Sequence, residues 1–192
     1  MPWIAIALSR DVPLENTRAV RVEGREIVVW RDAEGEAHVW EDRCPHRGMR
    51  LSFGFVRGTA LNCLYHGWQY GASASCQKIP AHPDLSVPPS IKANAFPVRE
   101  QGGMIWTSFD SAAGEPPALP QNAVPVASVA IGANTTVPGS VAVEGGVLYL
   151  QAHWSAASRM TVHAVADSEA ARAAGWAWLK AFRHTAERGV AA

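Results

Sequence analysis

Cys44-Pro-His46-Arg-Gly48 and Cys63-Leu-Tyr-His66-Gly67-Trp68 are the two stretches that decide how this chain folds. Each pairs one cysteine with one histidine, and 16 residues lie between His46 and Cys63. A C-x-H spacing is too tight for both side chains to leave a regular strand on one face. The first pair therefore needs a loop, and Pro45 and Gly48 supply loop geometry. Gly67 plays the same part in the second stretch. Two loops that each present a sulfur and an imidazole make a four-ligand set for a transition metal.

Two kinds of centre accept those four atoms. Tetrahedral zinc does, but zinc arms usually carry two cysteines on one side and two histidines on the other, whereas each arm here is mixed. A Rieske-type 2Fe-2S centre holds one iron by two thiolates and the other by two neutral imidazoles, so each of two loops supplies one of each. At these residues the chain resembles the Rieske family, over roughly residues 3–110.

The surrounding text resembles one branch of that family. Tyr65-His66-Gly67-Trp68-Gln-Tyr70, Lys78-Ile-Pro-Ala81 and Gly103-Met-Ile-Trp106 are similar to the N-terminal domain of Rieske non-haem iron oxygenases, the ring-hydroxylating and demethylating enzymes. Respiratory Rieske proteins carry an extra cysteine in each loop, joined as a disulfide; Met49 and Tyr65 stand at those positions here. Cys76, ten residues beyond His66, matches neither and is read as a structural thiol. The resemblance implies that Cys44, His46, Cys63 and His66 bind a Rieske-type 2Fe-2S cluster and that the work is one-electron transfer. It also implies a potential near the low end of the Rieske range, about −150 mV.

Outside the loops, short alternating or β-rich runs broken by Gly, Pro and Asp fill the first 112 residues: Trp3–Leu8, Val20–Val22, Glu26–Trp30, Ala37–Trp40, Tyr65–Tyr70 and Met104–Phe109. Glu23-Gly24 and Glu34-Gly35-Glu36 are placed to close hairpins. The text predicts a mainly β protein, with a small antiparallel Rieske-type domain over 1–112. Residues 113–126 carry four prolines and no apolar period, the composition of a linker.

A small α+β unit is predicted over 127–192. Its strands are Val126–Ile131, Val147–Trp154 and Met160–Val165, and its helix has Ser168 as N-cap. Ala171, Ala174, Gly175, Trp178, Leu179 and Phe182 make one apolar stripe that ends near Gly189. Residues 147–189 resemble the last strands and terminal helix of an oxygenase catalytic domain, which implies a remnant of that domain or a docking element.

A complete oxygenase of the family adds mononuclear iron on two histidines and a carboxylate. His38, His82, His153, His163 and His184 have no spacing of that kind, so no catalytic residue is assigned. The chain is expected to be a component that passes electrons from a flavin or ferredoxin-type reductase to a separate mononuclear iron oxygenase subunit, and not to be catalytic on its own. A shortened oxygenase that uses His153, His163 and a carboxylate is the alternative, since the two histidines flank a hairpin and approach each other on adjacent strands. A zinc-binding structural module is a third. His184 and Glu187 lie one helical turn apart and are read as solvated surface.

Arg43, Arg47, Arg50 and Arg57 rim the first loop. They are read either as a steering surface for an acidic partner or as solvated charges paired with Glu41 and Asp42. Trp68 is placed to shield the cluster or to fill the core. With 17 basic and 17 acidic side chains, nothing draws the whole molecule to nucleic acid or anionic lipid. The N-terminus has no basic signal region and no run reaches the roughly 20 apolar residues of a membrane span. Three cysteines make no secreted disulfide framework, so a cytoplasmic location is expected. Asn134-Thr-Thr136 is accordingly not counted as a glycosylation site.

Overall fold

The computed structural model describes residues 3–110 and 114–189. Its strands begin with β1 (Ile4–Leu8), β2 (Asn16–Val22), β3 (Arg25–Arg31), β4 (Ala37–Glu41), β5 (Phe55–Arg57), β6 (Ala60–Asn62), β7 (Gln69–Gly71) and β8 (Cys76–Lys78). They continue with β9 (Ala95–Phe96), β10 (Val98–Gln101), β11 (Met104–Thr107), β12 (Val124–Ile131), β13 (Ser140–Val143), β14 (Gly146–Ala156) and β15 (Arg159–Ala166), and end on helix α1 (Glu169–Glu187). The mainly β fold with one C-terminal helix is the class that the sequence predicts.

Chain contacts divide the protein into two units: residues 12–20 with 25–98, and residues 1–11 with 21–24 and 99–192. The expected cut at 113–126 is not where the contacts divide it. Trp3, Ala5 and Leu8 of the N-terminal segment share one buried cluster with Met104, Trp106 and Val165, because β1 pairs with β11 across about a hundred residues of sequence. The proline-rich stretch is packed rather than free: Pro116 is buried, and Gln101 Nε2 donates to the Pro117 carbonyl at 2.9 Å.

The unit of residues 12–20 and 25–98 holds two four-stranded sheets, β2-β3-β4-β9 and β5-β6-β7-β8. From Ile27 to Arg31 every residue of β3 is buried, as in a strand covered on both faces. The hairpins form where the turn residues predict. Glu23 and Gly24 both take positive φ, 50° and 79°, as a two-residue primed turn requires. Trp30, Trp40, Leu51, Leu61 and Tyr70 build the core, and Cys44 and Cys63 lie in that same cluster.

In the other unit β12-β15-β14-β13 forms an antiparallel sheet. Three of its strands lie where the sequence places them; β13 is four residues between turns and gives too short a period to read. Helix α1 covers this sheet with Ala171, Leu179 and Phe182 against Leu148, Val162 and Ala164. Gly175 permits close approach, since a β carbon there would lie 2.7 Å from Leu148 Cδ1. The Ser168 hydroxyl accepts from the Ala171 N–H at 3.1 Å, the predicted cap. No helix of the described residues is long and apolar enough to cross a membrane.

Candidate metal centre

The two Cys/His stretches fold as matching turns. The first follows β4 and the second joins β6 to β7. In each, the cysteine carbonyl accepts from the glycine four residues on (Gly48 N–H at 2.8 Å, Gly67 N–H at 3.0 Å). Each cysteine N–H in turn donates to the carbonyl five residues on, Met49 at 2.7 Å and Trp68 at 2.9 Å. Those closures need the left-handed φ of Gly48 and Gly67, 74° and 69°, which is why glycine stands at the same offset in both loops. The first loop is braced from behind by the Asp42 carboxylate, which accepts from the Ser52 N–H at 2.7 Å and hydroxyl at 2.6 Å.

These turns sort the donors by depth. Cys44 and Cys63 are each 2% exposed and carry free thiols in one buried cluster. Burial pushes the Cys63 thiol up, while the backbone N–H of Tyr65 pulls it down. The Tyr70 hydroxyl lies 3.2 Å from Cys44 Sγ. Burial, reinforced by that contact, pushes the Tyr70 phenol far above its ordinary range, and a sulfur bound to metal has no proton to give, so the phenol would be the donor there.

The imidazoles lie outward. His66 is exposed, His46 is half-buried, and their ring centroids are 4.7 Å apart. Each has an aromatic cover: Trp68 stacks on His46 at 4.2 Å and 6°, and Tyr65 lies 3.8 Å from His66. Desolvation, followed by the nearby His66 and Arg47, lowers the His46 pKa from its ordinary value. Paired sulfurs inside and paired imidazoles outside suit two irons with two ligands each.

The remaining candidates fall elsewhere. His153 and His163 lie on β14 and β15, both buried, with ring centroids 5.3 Å apart. His153 Nδ1 is 2.9 Å from the Ala5 carbonyl oxygen and His163 Nδ1 is 2.8 Å from the Ser128 hydroxyl, which lies 3.4 Å from Asp11 Oδ2. Burial holds His153 below its ordinary range. Glu187 pairs with Arg183 at 3.1 Å and His184 is exposed, so that helix turn is solvated surface. Cys76 is buried, and its thiol, raised by burial, lies 3.7 Å from the Lys78 carbonyl.

Of the basic rim, Arg50 is paired with Glu26 and Arg57 lies over the Phe55 ring. Arg43 and Arg47 lie instead beside a cavity of about 300 Å³ that also takes in Lys92. Lys92 is 45 residues from Arg47 in sequence, and no local signal marked it.

Residues 2–90 match the family model of the Rieske 2Fe-2S domain. That part of the chain is a Rieske domain, and its cofactor is a 2Fe-2S cluster. Among curated proteins, the chain is 43% identical over 115 residues to the oxidoreductase NdmD of Pseudomonas putida, covering 59% of this chain and 20% of that protein. It is 39% identical over 108 residues to the 4beta-methylsterol monooxygenase of Methylococcus capsulatus, covering 54% of this chain and 29% of the other. The chain thus spans between a fifth and a third of the length of these relatives. Among solved structures, apo dicamba monooxygenase superposes with a TM-score of 0.76 at 16% identity, over 97% of this chain and 85% of that one. The methylxanthine demethylase NdmA of Pseudomonas putida CBB5, a mutant with caffeine, gives 0.73 at 18%, over 97% and 81%. At these identities the likeness is one of fold, and it runs past residue 90 into the C-terminal sheet and helix.

Proposed function

We propose that this chain is a one-electron relay of an oxygenase system, receiving electrons from a flavin or ferredoxin-type reductase and delivering them to the mononuclear iron of a separate oxygenase subunit. The observation that carries the proposal is the sorting of four donors by depth: two adjacent buried sulfurs beneath two imidazoles that are 4.7 Å apart and reach the surface. In this reading Cys44 and Cys63 hold the inner iron, and His46 and His66 the outer. When bound, the cluster supplies a one-electron couple. The chain's residues do the rest. Tyr70 and the Tyr65 N–H donate to the sulfurs, Trp68 and Tyr65 cover the imidazoles, and the exposed edge of His66 is the electron's way out. Relatives named as an oxidoreductase, a monooxygenase and a demethylase support the setting.

One observation favours a second reading, a shortened oxygenase: the buried pair His153 and His163, 5.3 Å apart. Iron and acid-labile sulfide per chain, measured together with oxygen uptake under NADH and a reductase, separate the two. The relay holds about two irons and two sulfides and is reduced without steady oxygen consumption. An iron-to-sulfide ratio of about three to two, with turnover that His153→Ala abolishes, overturns it. A colourless protein that holds zinc overturns both.

A further inference from the structure

The cavity beside the first Cys/His loop is lined by three cations, Arg43, Arg47 and Lys92, and by one carboxylate, Glu41. All three cations are exposed, and none is in an ion pair among the described residues. Of the two neighbouring carboxylates, Asp42 is engaged elsewhere and Glu41 lies in the groove itself. Asp42 is buried and accepts from Ser52, and Glu41 lies 3.5 Å from the Asn94 amide. The Arg43 guanidinium lies beside Gly48, where a β carbon would come within 3.3 Å of Nε. His46 lines the same cavity. The groove therefore has an excess of two positive charges directly beside an imidazole of the cluster site.

We infer that this groove is the docking site for the electron donor and that it receives acidic side chains of that protein. The inference rests on the relay reading above and adds to it a place and a chemistry of recognition. Cations left without partners around a concave surface lower the encounter barrier for an acidic protein and orient it. Such steering acts on the association rate and is screened by salt. Carboxylates seated between Arg47 and Lys92 bring the donor's redox centre to His46. With a cluster held by the two Cys/His loops, the transfer would be of a single electron from the donor's reduced centre, with no atom or proton exchanged. Arg50, already paired with Glu26, takes no part.

The test uses the full chain with its cluster assembled, and two reductants: an acidic plant-type ferredoxin, chemically reduced, and photoreduced 5-deazariboflavin, which is small and uncharged. Reduction is followed by stopped-flow absorbance over an ionic-strength series. The native rate with ferredoxin should fall as salt rises. Lys92→Glu and Arg47→Glu should each slow it by about 3- to 10-fold at low salt and flatten the salt dependence. Arg50→Gln should match the native protein. Lys92→Glu and Arg50→Gln should keep the visible spectrum and the native rate with deazariboflavin. Lys92 lies outside both ligand loops and is exposed, so that variant reads the groove even if Arg47→Glu disturbs cluster assembly. A Lys92→Glu protein with the native rate and salt slope overturns the groove and leaves the relay standing. A native protein that holds iron and sulfide yet is reduced by neither reagent overturns the relay itself.

Discussion

Tyr70→Phe removes one oxygen atom at the most protected point of the site. The phenol is fully buried, keeps its proton, and lies 3.2 Å from Cys44 Sγ. Phenylalanine keeps the ring that meets Trp40 edge-on at 6.5 Å, so packing survives and the hydrogen bond alone is lost. A donor aimed at a ligand sulfur stabilises the more negative, reduced state more than the oxidised one, and its removal lowers the reduction potential. Hydrogen bonds to charged acceptors contribute about 1.5–3 kcal/mol. If about half of a 2 kcal/mol bond distinguishes the two redox states, the difference is about 1 kcal/mol. A one-electron couple moves 59 mV per tenfold change in equilibrium, or about 1.4 kcal/mol, so the expected fall is about 40 mV. Spectroelectrochemical titration of native and variant protein measures it. A shift of less than about 10 mV, or any rise, refutes the argument that Tyr70 is a donor to the cluster site.

His66→Ala takes away the more exposed imidazole and should abolish the visible cluster spectrum while far-ultraviolet circular dichroism stays close to native; an unchanged visible spectrum would show that His66 is not a ligand. Burial raises the Asp32 carboxyl, but hydrogen bonds from His38 and from the Glu36 and Glu34 N–H groups outweigh it and hold the group below its ordinary value. Its stabilisation is therefore present above the unfolded pKa of about 3.9 and lost as pH falls through the lower folded value. The urea midpoints of native protein and Asp32→Asn should accordingly converge on acidification, and a constant gap from neutral pH to about pH 2.5 contradicts this.

The two Cys/His loops were legible because their text is local: cysteine, histidine and glycine within six residues of one another mark the turns that the backbone closes. Helix α1 was legible for a similar reason, with Ser168 at its start and a stripe from Ala171 to Phe182 that packs as its period predicts. What local text does not carry is pairing at a distance. Nothing in Ile4–Leu8 names Met104–Thr107 as its partner, and that pairing places the first strand with the C-terminal sheet. The prolines between 116 and 125 read as a linker, but composition does not tell a packed connector from a free one; Gln101 and the buried Pro116 make that difference. Lys92 belongs to the same class of omission. An exposed lysine in a loop has no periodic signature, and only the folded chain brings it to Arg47.

The twin turns around the cluster site separate two kinds of mutational freedom. Both are closed by backbone groups of the cysteine, the glycine and the residue after it, so the side chains of Arg47 and Leu64 take no part in those bonds, and both are exposed. Those two positions can be rewritten by evolution or by design while the backbone bonds that close the turns are retained. A lineage that exchanges one redox partner for another can thus change the outer face of the loops at these positions without unmaking the turns.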